Sequence, residues 1–300
     1  MLEFRLSPRH KPRIIRVMQC VPGYPSGLSR LAVASFAALL LPVPAQAAEP
    51  VDVELVLAVD VSLSMSPMEL DIQRRGYMAA LTDAKVVQAI QDGVHGKIAL
   101  TYFEWAGDGM QRVVVPWTVV ANQADAEAVA AKLQAGVPNS ARRTSISAAL
   151  SFAGDLLAES GYSGMKRVID ISGDGPNNQG LPVDGVRDLI VSQGITINGL
   201  PLMTAGGAMS SYDFADLDTY YTRCVIGGPG SFVVPVHDWS QFPEAIRRKL
   251  VLELAGPLTP IPARYDGAEP SVLLAQAGNA YDCQVGEKMW GNRSWMWDSR

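Results

Sequence analysis

Between Glu54 and Ala255, short apolar runs alternate with stretches whose apolar residues recur at helical spacing, and this alternation constrains the fold more than any other feature. Glu54–Val59 (ELVLAV) has the pattern of a strand buried on both faces. Met68–Ile90 follows with Leu70, Tyr77, Met78, Leu81, Val86, Val87 and Ile90 on one helical period. Further strands are expected at Lys97–Trp105, Gln111–Val120, Arg167–Ile171, Ile195–Leu200 and Phe232–Val236. Further helices are expected at Asp125–Ala135, Ser145–Glu159, Val183–Gln193, Tyr212–Thr222 and Gln241–Ala255. Such an order implies right-handed crossovers, hence an α/β fold with a mostly parallel central sheet and helices on both faces. The turn chemistry of Ala106–Met110 predicts a hairpin, and so one antiparallel strand at a sheet edge. Pro116 agrees, since a proline cannot donate to a central ladder.

The first 47 residues read differently. Arg5, Arg9, Lys11, Arg13, Arg16 and Arg30 precede the apolar stretch Leu31–Leu41, and Ala45-Gln46-Ala47 offers small residues for cleavage. Basic, then apolar, then A-x-A is the order of a secretory signal peptide over residues 1–47, with Met18 as an alternative start. A run of eleven residues, apolar except for Ser35, is too short to span a bilayer, which takes about 20. The expected location is therefore outside the cytoplasm, periplasmic or secreted, with no stable membrane span after cleavage. The whole chain carries 25 basic and 30 acidic residues, and removing the leader leaves a formal charge of −10. That balance argues against a nucleic-acid partner, which usually selects a basic excess. Hydrophobic residues at 48% supply enough material for a core and exclude a wholly disordered chain.

Pro257, Pro260, Pro262 and Pro270 mark a boundary, so the domain is placed at residues 51–255 and a tail at 256–300. The tail gathers Trp290, Trp295 and Trp297, which read equally as a docking segment or as a packed or frayed end. Outside the leader only Cys224 and Cys283 remain. An oxidising compartment allows them one disulfide, while a buried thiol at Cys224 and an unpaired one at Cys283 stay equally open.

The chemistry-bearing residues lie at strand ends. Asp60-Val61-Ser62-Leu63-Ser64 places a carboxylate and two hydroxyls at alternate positions directly after the first strand. Ligand sites of open parallel sheets lie at such carboxyl ends, and oxygen-only donors suit a hard cation such as Mg²⁺. Taken alone, the pattern is as well explained by a helix start, because Ser and Asp are common caps. Thr144, just before a helical segment, and Asp174-Gly175, just after another apolar strand, add a third hydroxyl and a second carboxylate.

With D-x-S-x-S, then Thr, then Asp-Gly on matching elements, the chain resembles a von Willebrand factor A domain over roughly Val51–Ala255, a Rossmann-like α/β fold. At a finer level, Thr101–Ala106 (TYFEWA), Val225–Val234 (VIGGPGSFVV) and Ile246–Leu254 (IRRKLVLEL) are similar to a bacterial exported A-domain family catalogued as a domain of unknown function, DUF1194. The resemblance implies a metal-ion-dependent adhesion site. Ser62 and Ser64 would be direct ligands, Thr144 direct or water-bridged, and Asp60 and Asp174 would act largely through bound waters. Mg²⁺ is the expected ion, with Mn²⁺ or Ca²⁺ as variants, and one position would be left for an Asp or Glu carboxylate of a partner protein. The implied role is adhesion without catalysis.

Two other readings accompany it. One is a periplasmic phosphatase-like hydrolase using a strand-end aspartate, against which Ser62 stands where D-x-D chemistry needs a second acid. The other is an A-domain scaffold that binds through its Trp-rich tail. Asp170–Gly175 imitates the start of an EF-hand loop, but its twelfth position is Leu181. His95 and His237 are too far apart in sequence to suggest zinc. No nucleotide-loop or hydrolase-elbow motif is present.

Overall fold

The computed structural model describes residues 48–136, 139–204, 214–255, 271–274 and 281–297, with side chains of the last segment described to residue 291. The leader 1–47 and the start of the expected helix 212–222 lie outside the described residues. Seven strands form one sheet: β1 (Glu49–Asp60), β2 (Ile98–Trp105), β3 (Gln111–Val120), β4 (Tyr162–Gly173), β5 (Thr196–Pro201), β6 (Phe232–Val233) and β7 (Leu273–Leu274). Their order is β3-β2-β1-β4-β5-β6-β7. β1 pairs in parallel with both β2 and β4, and β5 with β4 and β6. β3 is the antiparallel edge strand that the hairpin chemistry predicts. Its register against β2 shifts around Tyr102, opposite the Pro116 region where a ladder donor is missing. At the far edge, two residues of the tail add β7 antiparallel to β6.

Helices cover both faces. α1 (Pro67–Leu81), α2 (Ala84–Gln91), α3 (Gln123–Ala135) and α7 (Phe242–Leu254) lie on one side. α4 (Ile146–Ala158) and α5 (Val183–Ser192) lie on the other, with α6 (Leu217–Tyr220) running into a π turn at Tyr221–Val225. β1 shows why two cores form. Val53, Leu55, Leu57 and Val59 face the first layer while Val56 and Ala58 face the second, because strand side chains alternate. Each such buried aliphatic side chain contributes about 2 kcal/mol.

Three expectations need correction. The helical stretch 68–90 is two helices, because the Asp83 side chain accepts from the Lys85 N–H and caps a new start. The apolar spacing runs through this joint and hides it, but a satisfied N-cap outweighs one more turn of helix. The strand expected at 232–236 is a two-residue ladder, continued by backbone bonds from Val234 and Val236 to Gly199 and Pro201 and by an isolated bridge between Val236 and Leu202. The stretch up to Thr222 is one helical turn followed by π geometry. A further helix, α8 (Val285–Trp297), occupies the tail. Among the described residues no helix is long and apolar enough to cross a membrane.

Candidate metal centre

β1 leads to β2 on one side, while its other neighbour, β4, is reached only after β3; the crevice at their carboxyl ends is thus a point where strand order reverses. Asp60 closes β1, and Asp174 is the first residue beyond β4. Ser64 and Asp174, 110 positions apart, therefore meet at one rim of the sheet. The loop after β1 is held by the Val61 N–H donating to the Trp105 carbonyl, and it ends in α1, capped by Ser66 and Glu69 in a reciprocal box.

Four of the five expected side chains form one hydrogen-bonded chain. The Ser62 N–H donates to Asp60 Oδ1 at 2.7 Å, and the Ser62 and Ser64 hydroxyls lie 2.9 Å apart. Ser64 Oγ donates to Asp174 Oδ1 at 2.8 Å. Thr144 is tied by its backbone to the loop that follows Asp174: its N–H donates to Asn178 Oδ1 at 3.0 Å and its carbonyl accepts from the Asn178 N–H at 2.9 Å. The Leu63 N–H donates to the Ala141 carbonyl, so the first loop is also tied to the segment leading to Thr144. Ser145 then caps α4 by accepting from the Ala148 N–H.

The electrostatics of this cluster favour a cation. Asp60 is buried, and its Oδ2 has no hydrogen-bond partner. Burial pushes the Asp60 carboxyl well above the ordinary carboxylate range, the Asp174 charge pushes it further, and hydrogen bonds from Ser62 oppose both. Two acids and two hydroxyls, with one buried acid oxygen lacking a hydrogen-bond partner, form an oxygen-only donor set of the kind that suits Mg²⁺. Among the described residues no three His, Cys, Asp or Glu side chains converge. A set built on two acids plus hydroxyls does not require such a group. The residues present fit a hard divalent ion.

Other expectations meet mixed outcomes. Asp170, the first residue of the EF-hand-like run, is buried inside β4 and paired with Lys249 at 2.6 Å, away from any loop. Glu104 is a buried strand-end acid and bridges Arg74 at 2.6 Å and Arg112 at 2.5 Å. Gly227–Gly230 is the turn before β6, with Gly228 and Gly230 at positive φ. His95 and His237 are exposed. Cys224 and Cys283 pair in a disulfide with their Cα atoms 5.5 Å apart, closing the alternative of two separate thiols. The Trp290 ring packs beneath the Arg143 guanidinium, 3.8 Å from centroid to carbon, while the side chains of Trp295 and Trp297 lie outside the described residues.

Local pattern did not reveal Tyr221, Asn177 or Asn178. Tyr221 is buried with its hydroxyl unpartnered, and it flanks the bare Cα of Gly173 together with Asp60 Oδ2. Asn177 and Asn178 look like ordinary loop residues, and only their cross-loop partners give them a role.

The parallel sheet with its antiparallel hairpin edge, and the motif parts at the ends of adjacent strands, define a von Willebrand factor A-like α/β domain. Within that class, the family described as "Protein of unknown function (DUF1194)" matches residues 50–258, and the chain belongs to that family. No curated protein matches it. Among solved structures, the chain is similar to proximal thread matrix protein 1 of the mussel byssus, described with a zinc-occupied MIDAS motif, at 16% identity, TM-score 0.47, over 69% of this chain and 48% of that one. A von Willebrand factor type A protein from Catenulispora acidiphila is similar at 14% identity, TM-score 0.46, over 69% and 43%. BatB from Bacteroides thetaiotaomicron is similar at 17% identity, TM-score 0.42, over 68% and 100%. The chain spans about half the length of the mussel protein.

Proposed function

We propose that this protein is an exported, metal-dependent protein-binding module in which Asp60, Ser62, Ser64, Thr144 and Asp174 hold Mg²⁺. The observation that carries the reading is the hydrogen-bonded convergence of Ser62, Ser64 and Asp174 beside the orphaned Asp60 Oδ2. Bound Mg²⁺ supplies an oxygen-seeking centre that keeps part of its coordination for water or an incoming carboxylate. Ser62 and Ser64 present neutral lone pairs, so the site does not quench that demand with protein charge. Asp60 and Asp174 would balance the ion's charge and orient its waters, and Thr144 would offer a third hydroxyl. The partner presents an Asp or Glu carboxylate. The pairing of Cys224 with Cys283 supports an oxidising, periplasmic or secreted location, with residues 1–47 as the cleaved leader.

Calorimetric titration of the domain with Mg²⁺ and Mn²⁺, beside a Ser62→Ala/Ser64→Ala variant, tests the site. Saturable heat and thermal stabilisation are expected in the wild type alone, and their absence from both proteins rejects it. Capture of a partner from periplasmic extract should be lost on chelation.

A further inference from the structure

The tail helix α8 packs directly on the two loops that bear Thr144 and Asp174. Asn177 is the hub of this contact. Its Oδ1 accepts from the Ser147 N–H at the start of α4, at 3.0 Å, and its N–H donates to the Tyr220 hydroxyl at 3.1 Å. Its Nδ2 donates to the Leu181 carbonyl at 3.2 Å and to Glu287 Oε1 of α8 at 2.7 Å. Asn178 pairs with both backbone groups of Thr144. One step before Thr144, Arg143 sits at φ 76°, a left-handed conformation unusual for a side-chain-bearing residue, and the Trp290 ring covers its guanidinium. Gly286 completes the contact, since a Cβ there would lie 2.1 Å from the Asn177 carbonyl oxygen. Gly286 and Glu287 lie four and three residues before Trp290, spacings that bring each onto the helix face that Trp290 occupies. Two residues before α8, Cys283 is bonded to Cys224 in the π turn that also carries Tyr221.

We propose that α8, latched by the Cys224–Cys283 disulfide, is a clamp that holds the Thr144 and Asp174 loops in register, with Asn177 as the positioning residue between them. The consequence for metal affinity rests on the metal-site reading above. The tail is then part of the binding machinery, and Trp290 is spent on the domain's own loop. Neither Asn177 nor Glu287 need touch the ion: they fix the backbone from which its ligands project, as outer partners do in other metal sites.

The test uses the full oxidised chain with Gly286→Val, Glu287→Ala and Glu287→Gln. Mn²⁺ titration should show affinity falling by about tenfold or more for the first two. Glu287→Gln keeps an oxygen to accept from Asn177 Nδ2, so it should bind as the wild type does, which separates positioning from charge. Amide hydrogen exchange in the metal-free protein is the second readout. Thr144, Ser147, Asn177 and Asn178 should exchange faster in Gly286→Val and after disulfide reduction. Unchanged exchange and affinity in both Gly286→Val and Glu287→Ala overturn the clamp, as does tighter binding, which would make α8 a lid. If the wild type takes no Mn²⁺, the metal reading falls, and exchange at those four amides alone decides whether the clamp stands.

Discussion

Raising the pH from 5 to 8 should weaken the fold, and one buried acid accounts for a measurable part of the loss. Lys249 on α7 lies 2.6 Å from both Asp170 Oδ1 and Glu253 Oε1, all three side chains being buried between the sheet and the helix. One ammonium thus faces two carboxylates, and Asn198 Nδ2 adds a hydrogen bond to Glu253 at 2.9 Å. Burial pushes the Glu253 carboxyl up to about 7, the Asp170 charge adds to this, and Lys249 opposes it. A raised acid favours the fold while protonated, so its contribution is full below the ordinary 4.5 and is lost as the pH rises through about 7. At about 1.4 kcal/mol per pH unit, that interval sets an upper limit of about 3 kcal/mol. Urea denaturation in chelator at several pH values checks it, with Glu253→Gln as the comparison. Asp60 is raised as well and shifts stability in the same direction, so the diagnostic quantity is the difference between the two proteins. The wild type should lose more stability than the variant over this range, by no more than that limit. Parallel curves would refute the reasoning.

Replacing Lys249 by Met strands Asp170 and Glu253 without their cation and should cost about 3–5 kcal/mol, read from urea midpoints; adding Asp170→Asn and Glu253→Gln should recover most of it. Gly173→Ala places a Cβ 2.9 Å from Asp60 Oδ2 and 2.8 Å from the Tyr221 hydroxyl. It should cost about 1–3 kcal/mol and weaken Mg²⁺ binding in calorimetry, whereas a wild-type titration would show that the space beside Asp60 is not needed. The disulfide closes a separation of 59 residues, worth at most about 4 kcal/mol by chain entropy. Scanning calorimetry of a Cys224→Ser/Cys283→Ser variant should show a lower melting temperature that no longer responds to reductant.

The β1 run is buried nearly throughout, as ELVLAV requires, and Asp60-Val61-Ser62-Leu63-Ser64 falls at the strand end where the pattern puts it. The helix boundary at Asp83 was missed because apolar spacing records which face is buried and says little about where the backbone re-caps. Thr144 was placed near the site through family resemblance, yet its backbone pairing with Asn178 depends on two loops whose spacing carries no period.

The sequence by itself determined most of the order of strands and helices between Glu54 and Ala255, the mostly parallel sheet and the strand end on which Asp60, Ser62 and Ser64 fall, because side-chain periodicity is a local property of the chain. Tertiary structure alone decided that Ser64 reaches Asp174, that Cys224 finds Cys283, that Lys249 must serve two acids, and that Glu287 reaches back to Asn177. Those contacts join elements that meet only once the sheet has assembled. Their partners are fixed by crossovers and packing, which no short stretch of residues records.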